Sequence, residues 1–287
     1  MRIAVIGAGR VGTALAVLLG RAGHAIVAVA GGDATPARAA AWLPGVPVLV
    51  PADAARLGEL VIITVPDDVI GDVVLALVER DALSPVTWIT HTSGAMGLGV
   101  LEPARAAAAR LLAIHPLQTL PDVERAIASI PGSTVAVTAD DEEGSALGES
   151  LARDLGATPF RLADERRPLY HAAAVFASNH VVATSAVAER LFRDAGLPDP
   201  LAAMEPLQLA TVENIARIGP GAALTGPAVR GDAGTVNRNL EALAADAPDA
   251  VAAYVAMCRV ALDVGIAAGR LAPESRTAVE EVLAAWS

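Results

Sequence analysis

Three short stretches hold side chains able to move a proton or orient a substrate. The first is YHAAAVFASNH, residues 170–180, where Tyr170, His171, Ser178, Asn179 and His180 interrupt a run of Ala, Val and Phe. The second is HTSGAMG, 91–97, with His91, Thr92 and Ser93, and the third is HPLQT, 115–119, with His115. Histidine titrates near neutrality and can serve as a general acid or base. Ser and Asn can hold a substrate oxygen by hydrogen bonds. On a helix turning about 100° per residue, Ser178 lies about 20° from His171 and Asn179 about 80° away, while His180 falls on the opposite face. Tyr170, about 100° round from His171, stays unassigned. Burying such groups unpaired costs about 1–3 kcal/mol each, so His171, Ser178 and Asn179 need partners, from the protein or from a ligand. For His91 and His115, a structural hydrogen bond and a catalytic role both fit.

A second chemistry sits at the N-terminus. RIAVIGAGRVGTALAVLL places Gly7, Gly9 and Gly12 as G-x-G-x-x-G directly after a strand and at the opening of a helix. Gly7 permits the tight turn, Gly9 admits a pyrophosphate close to the backbone, and Gly12 lets helix and strand approach. The stretch Gly7, Ala8, Gly9, Arg10, Val11, Gly12 would present helix amides to the phosphates. The second strand runs into Ala30, Gly31, Gly32 and Asp33, with no carboxylate at its very end. An acid there selects NAD and a nearby Arg selects NADP. With Arg10 and Arg38 available, NADP is the preferred cofactor and NAD the alternative. Asp33 fits a helix cap. In TVPDDVI, Thr64, Val65 and Pro66 should line the nicotinamide-ribose side, with Asp67 or Asp68 capping the next helix. Thr92 and Ser93 end another strand on the same edge.

These residues need a scaffold. RIAVI (2–6), AIVAVA (25–30), LVIITV (60–65), VTWIT (86–90), LLAI (111–114), STVAVT (133–138) and TPFRL (158–162) read as strands, near-continuously apolar as in a parallel sheet covered on both faces. Helical stretches at 10–22, 36–43, 67–80, 98–109 and 141–155 alternate with them, which implies a doubly wound α/β sheet. Beyond 163 the pattern becomes all-helical, at 167–195, 199–218, 235–246, 248–269 and 273–286. The expected domains are 1–163, of Rossmann type, and 164–287, all-helical.

Composition narrows the chemistry. All 21 basic residues are arginine, so Schiff-base chemistry, a P-loop lysine and a lysine general acid are excluded. A net charge of −11 argues against nucleic acid or an anionic membrane as partner. The single cysteine, Cys258, excludes an internal disulfide or a multi-Cys metal site and reads as a buried thiol; no metal is expected. No signal peptide is read at the N-terminus, and no apolar run of about 18 residues is free of charges and breakers. A soluble cytoplasmic protein is the expectation.

GAGRVGTALA, VPDD, HTSGA, HPLQT, YHAAAVFASNH and TGPAVRGD together resemble the 6-phosphogluconate-dehydrogenase-like superfamily. Within it they resemble a family described as a Rossmann-like domain followed by a domain of unknown function, related to ketopantoate reductase, pyrroline-5-carboxylate reductase and prephenate dehydrogenase. The resemblance implies an NAD(P)H-dependent reductase acting in the cleft between domains. Its substrate would be a small 2-oxo acid of the ketopantoate kind or a cyclic imine acid. Ketopantoate reductases carry a lysine with Asn four and eight residues later; counted back from Asn179, His171 takes the lysine's place and Val175 the first Asn. His171 would then donate the proton, with His115 in reserve, while Asn179, Ser178 and Ser93 position substrate. TGPAVRGD resembles a substrate loop in which Arg230 clamps a carboxylate, with Asp232 either orienting it or capping the next helix. Relatives also imply a homodimer through the C-terminal helices. The alternative is a non-catalytic dinucleotide-binding sensor or scaffold.

Overall fold

The computed structural model describes residues 1–286. Seven strands form one sheet: β1 Arg2–Ile6, β2 Ala25–Ala30, β3 Leu60–Ile63, β4 Trp88–His91, β5 Arg110–Pro116, β6 Thr134–Ala139 and β7 Thr158–Arg161. Their order is β2-β1-β3-β4-β5-β6-β7. All pairs are parallel except β5 with β6, which runs antiparallel. This departs from the all-parallel expectation. β6 lies against β5 in the opposite direction, Leu112 facing Ala139 and Pro116 facing Val135.

Six helices accompany the sheet: α1 Arg10–Arg21, α2 Thr35–Trp42, α3 Pro51–Leu57, α4 Ile70–Glu79, α5 Val123–Ser129 and α6 Glu142–Asp154. The pleat sorts side chains between two cores. Ile3, Val5, Leu60 and Ile62 enter one, with Leu15 and Leu19 of α1. Ala4, Ile6, Val61 and Ile63 enter the other, with Val74 and Leu77 of α4. Each fully buried Val, Leu or Ile contributes about 1.5–3 kcal/mol. The expected helix at 98–109 is instead a run of 3₁₀ turns, Leu98–Ala107, with Pro103 inside removing one backbone donor. The short helices α3 and α5 are absent from the sequence reading.

The helices that follow are α7 Arg167–Ala177, α8 Asn179–Asp194, α9 Pro200–Ala223, α10 Ala233–Asp246, α11 Val251–Ala267 and α12 Pro273–Ala284. The single helix expected over 167–195 is broken at Ser178, whose φ of −129° and ψ of −69° are not helical. Two compact units result, Met1–Asn179 and His180–Ser287, so α7 groups with the sheet. In the second unit, α10, α11 and α12 enclose Val236, Leu240, Val255, Leu262, Val279 and Leu283. Cys258 is buried among them. The stretch Pro248–Ala267 is long and apolar enough to cross a membrane by length and composition, with Arg259 and Asp263 inside it. Its face carrying Val255, Cys258 and Leu262 is nonetheless committed to this helical core.

Candidate active site

The carboxyl ends of β1, β2, β3, β4 and β5 carry the chemistry. After β1 the chain turns at Gly7, whose φ is +94°. A Cβ there would lie 2.7 Å from the Thr64 carbonyl carbon. At Gly12 it would lie 2.3 Å from Thr64 Oγ1 and 2.7 Å from the Gly7 oxygen. Thr64 closes the turn by donating its hydroxyl to the Gly7 carbonyl at 2.7 Å. Above Gly9 the space is open, the nearest atom to a Cβ being 3.7 Å away. No side chain caps α1 and no acid stands in its first turn, so its leading amides are left for an anion. Gly7, Ala8, Gly9, Gly31, Thr64, Val65 and Pro66 line one cavity of about 380 Å³. A cradle that admits no Cβ at Gly7 or Gly12 and stays open at Gly9 fits a pyrophosphate backbone.

Asp33, Thr35 and Arg38 line the same cavity. Arg38 donates to the Ala8 carbonyl at 2.8 Å. The Thr35 side chain is 2% exposed. A Cβ on Gly31 would meet Thr35 Oγ1 at 2.4 Å and the Ala8 nitrogen at 3.2 Å, so the strand end has no room for an acid. Asp33 caps nothing, since Ala34 precedes α2 without a side-chain bond. Among the other predicted cofactor residues, Arg10 donates to the Pro121 carbonyl at 3.1 Å, the Val11 side chain packs on the core, and Thr92 lines neither this cavity nor the next.

A second cavity, of about 670 Å³, is lined by His115, Tyr170, His171, Ser178 and Asn179, with Leu117, Gln118, Thr119 and small residues of α7. His115 Nδ1 and the Tyr170 hydroxyl are in hydrogen-bond contact at 2.9 Å, their rings edge to face. Gly94 lies between the imidazoles: a Cβ there would be 2.8 Å from His115 Nε2 and 2.9 Å from His171 Nδ1. His171 Nδ1 is buried without a hydrogen-bond partner. Burial first, then the Arg167 charge and His171, push His115 down to about 4, so its ring is neutral at pH 7. The break at Ser178 keeps Ser178 and Asn179 on the cavity, which the uninterrupted helical spacing would only partly achieve for Asn179.

His91 and Ser93 play other parts. His91 is fully buried and accepts the Ser93 amide at Nδ1, at 3.2 Å, so its proton sits on Nε2, 3.1 Å from the Gly97 oxygen. Burial, then Arg167, lowers it to about 4. The Ser93 hydroxyl donates to Asp67 at 2.6 Å and accepts the amides of Ala95 and Met96. Asp67 is therefore not the expected cap; it reaches the neighbouring strand end. In the helical unit Arg230 is exposed. Asp232 accepts the Thr235 amide at 2.9 Å and its hydroxyl at 2.7 Å, capping α10, and these bonds hold its carboxyl below the usual range. Sequence reasoning left Tyr170 open and missed Thr35, Gly94 and Arg167. Arg167 is 0% exposed, although it stands in a double-arginine step that reads as solvated.

Residues 1–116 match the family described as a Rossmann-like domain, and 133–261 match a domain of unknown function, DUF2520. No curated protein matches the chain. A Bacteroides fragilis structure provisionally described as an NADP oxidoreductase is similar at 25% identity and TM-score 0.77, covering 91% of this chain and 98% of that one. Protein TM1727 from Thermotoga maritima gives 21% identity and TM-score 0.71 over 93% and 100%. A Myxococcus stipitatus imine reductase variant in complex with NAD+ gives 17% and 0.60 over 99% and 98%. The chain thus matches a Rossmann-like model over its first 116 residues and a DUF2520 model over 133–261, and shares its fold with these solved structures.

Proposed function

We propose that the protein is an NAD(P)H-dependent reductase of a small carbonyl or imine acid, a 2-oxo acid such as ketopantoate being preferred over a cyclic imine acid. One observation carries the reading. One compact unit holds both a glycine cradle shaped for a pyrophosphate, at the ends of β1, β2 and β3, and a cavity with His115 at the end of β5 and Tyr170 and His171 on α7. When bound, the nicotinamide supplies a hydride to the carbonyl or imine carbon. His171 holds the proton taken up by the developing alkoxide or amine. Ser178 and Asn179 hold the reacting oxygen or nitrogen. His115, neutral and in hydrogen-bond contact with Tyr170, orients the phenol and is the reserve candidate as a hydrogen-bond donor to the reacting atom rather than as the source of its proton. Arg230 is kept as the candidate for the substrate carboxylate on its chemistry alone.

For the cofactor we favour NADP. Thr35 is buried beside the cavity, Arg38 brings a fork of donors, and Gly31 leaves no space for a ribose-binding acid. Arg38→Met with Thr35→Val should weaken NADPH about 10-fold or more and leave NADH nearly unchanged, by titrating nicotinamide fluorescence. Equal weakening of both would remove the 2′-phosphate assignment. We also keep a cytoplasmic homodimer formed through the helical unit.

A non-catalytic sensor is the second reading, favoured by the absence of any lysine. Mixing the protein with NADPH and a panel of 2-oxo acids and cyclic imines separates the two. Oxidation with one class supports the reductase, and binding without oxidation across the panel supports the sensor.

A further inference from the structure

Arg167 is the largest fully buried side chain, and its guanidinium makes no ion pair within 4 Å among the described residues. A buried cation without a contacting carboxylate is expensive, and its retention calls for a reason. All three ends of its fork are used: Nε donates to the Met96 carbonyl, Nη2 to the Ser93 carbonyl, and Nη1 to Thr138 Oγ1 at 2.8 Å. Thr138 passes its own hydrogen to the Leu162 carbonyl at 2.7 Å. One side chain therefore ties α7, the loop after β4 and the end of β6 together.

That loop contains Gly94, the residue against which His115 Nε2 and His171 Nδ1 both rest. Arg167 also stands three and four residues before Tyr170 and His171, on the same side of α7. We propose that Arg167 is the positioning residue of this centre, pinning the floor on which the two imidazoles rest and supplying a fixed positive charge beneath them. The proposal rests on the reductase reading for its catalytic consequence but not for its structural one. The charge is visible in the neighbours: after burial, Arg167 is the next cause holding both His91 and His115 low. His115 also faces His171, Asp67 and His91, while Arg167 faces Asp164, Tyr170 and Asp67.

The test compares Arg167→Met and Arg167→Lys in the full chain. Ring titrations of the histidines by NMR, with His115 assigned from His115→Gln, report the charge. Turnover of NADPH with the best substrate reports the geometry, and NADPH binding reports the cradle. Arg167→Met should raise the His115 midpoint by about one pH unit. It should cut turnover by about 10-fold or more and leave NADPH binding intact. Arg167→Lys should keep the low midpoint, because the charge remains, yet still lose turnover, because an ammonium cannot reproduce the planar fork. If Arg167→Met is too unstable to study, the lysine variant decides: a midpoint near the wild type with reduced turnover supports the proposal. A folded methionine variant with an unchanged His115 midpoint would overturn it. So would a lysine variant with full turnover. The ring titration needs no substrate, so a chain that reduces nothing defeats the reductase reading without deciding the role of Arg167.

Discussion

Gly94 sets how closely two imidazoles can approach one loop. Its φ is unremarkable; what matters is that His115 and His171 occupy the space a methyl group would need. Gly94→Ala should therefore cost about 1–3 kcal/mol by overpacking and displace both rings. The checks are a denaturant melt and the hydrogen bond between His115 and Tyr170, followed by NMR. His91 gives a second residue-scale prediction. Its folded value near 4 lies below the unfolded 6.5, so neutral His91 stabilises the fold above pH 6.5, and that contribution fades as pH falls toward 4. The loss should be about 3 kcal/mol, read as a steeper fall of stability with acid than in His91→Asn. Residue type and spacing were enough to nominate His115, His171, Ser178 and Asn179. They could not reveal Arg167, because its burial is created by a loop seventy residues earlier in the chain.

At the scale of elements, strands were the most legible part. β1 and β3 send alternate side chains into two cores, and such doubly buried strands appear in sequence as unbroken apolar runs. The reversal of β6 left no local mark, since strand direction is set by the path of the connection. The break between α7 and α8 was equally silent: no Gly or Pro stands at Ser178, and the helical spacing continues across it. The cap of α10 was readable, because an acid three residues before Thr235 is a cap signature. Asp232→Ala should lower the midpoint of a thermal or denaturant melt by removing the cap of α10. An unchanged melt together with a large loss of substrate affinity would instead return Asp232 to the substrate loop.

At the scale of the molecule, α9, Pro200–Ala223, is kinked at Gly219, whose φ is 76°, and buries only Pro200 and Met204. Leu201, Leu207, Leu209, Val212, Ile215 and Ile218 are exposed along it. An apolar surface of this kind calls for a partner, and a second copy of the chain is the occupant we propose. Sedimentation velocity at micromolar concentration should show a dimer, and Val212→Glu with Ile215→Glu should shift it toward monomer. The central claim is that the imidazole cavity performs chemistry on a substrate beside a bound nicotinamide. Its most direct test is single-turnover absorbance at the nicotinamide band, wild type against His171→Ala, with NADPH affinity measured in parallel. The account predicts a rate about 100-fold or more lower at unchanged NADPH affinity. A His171→Ala protein that turns over at the wild-type rate would contradict it.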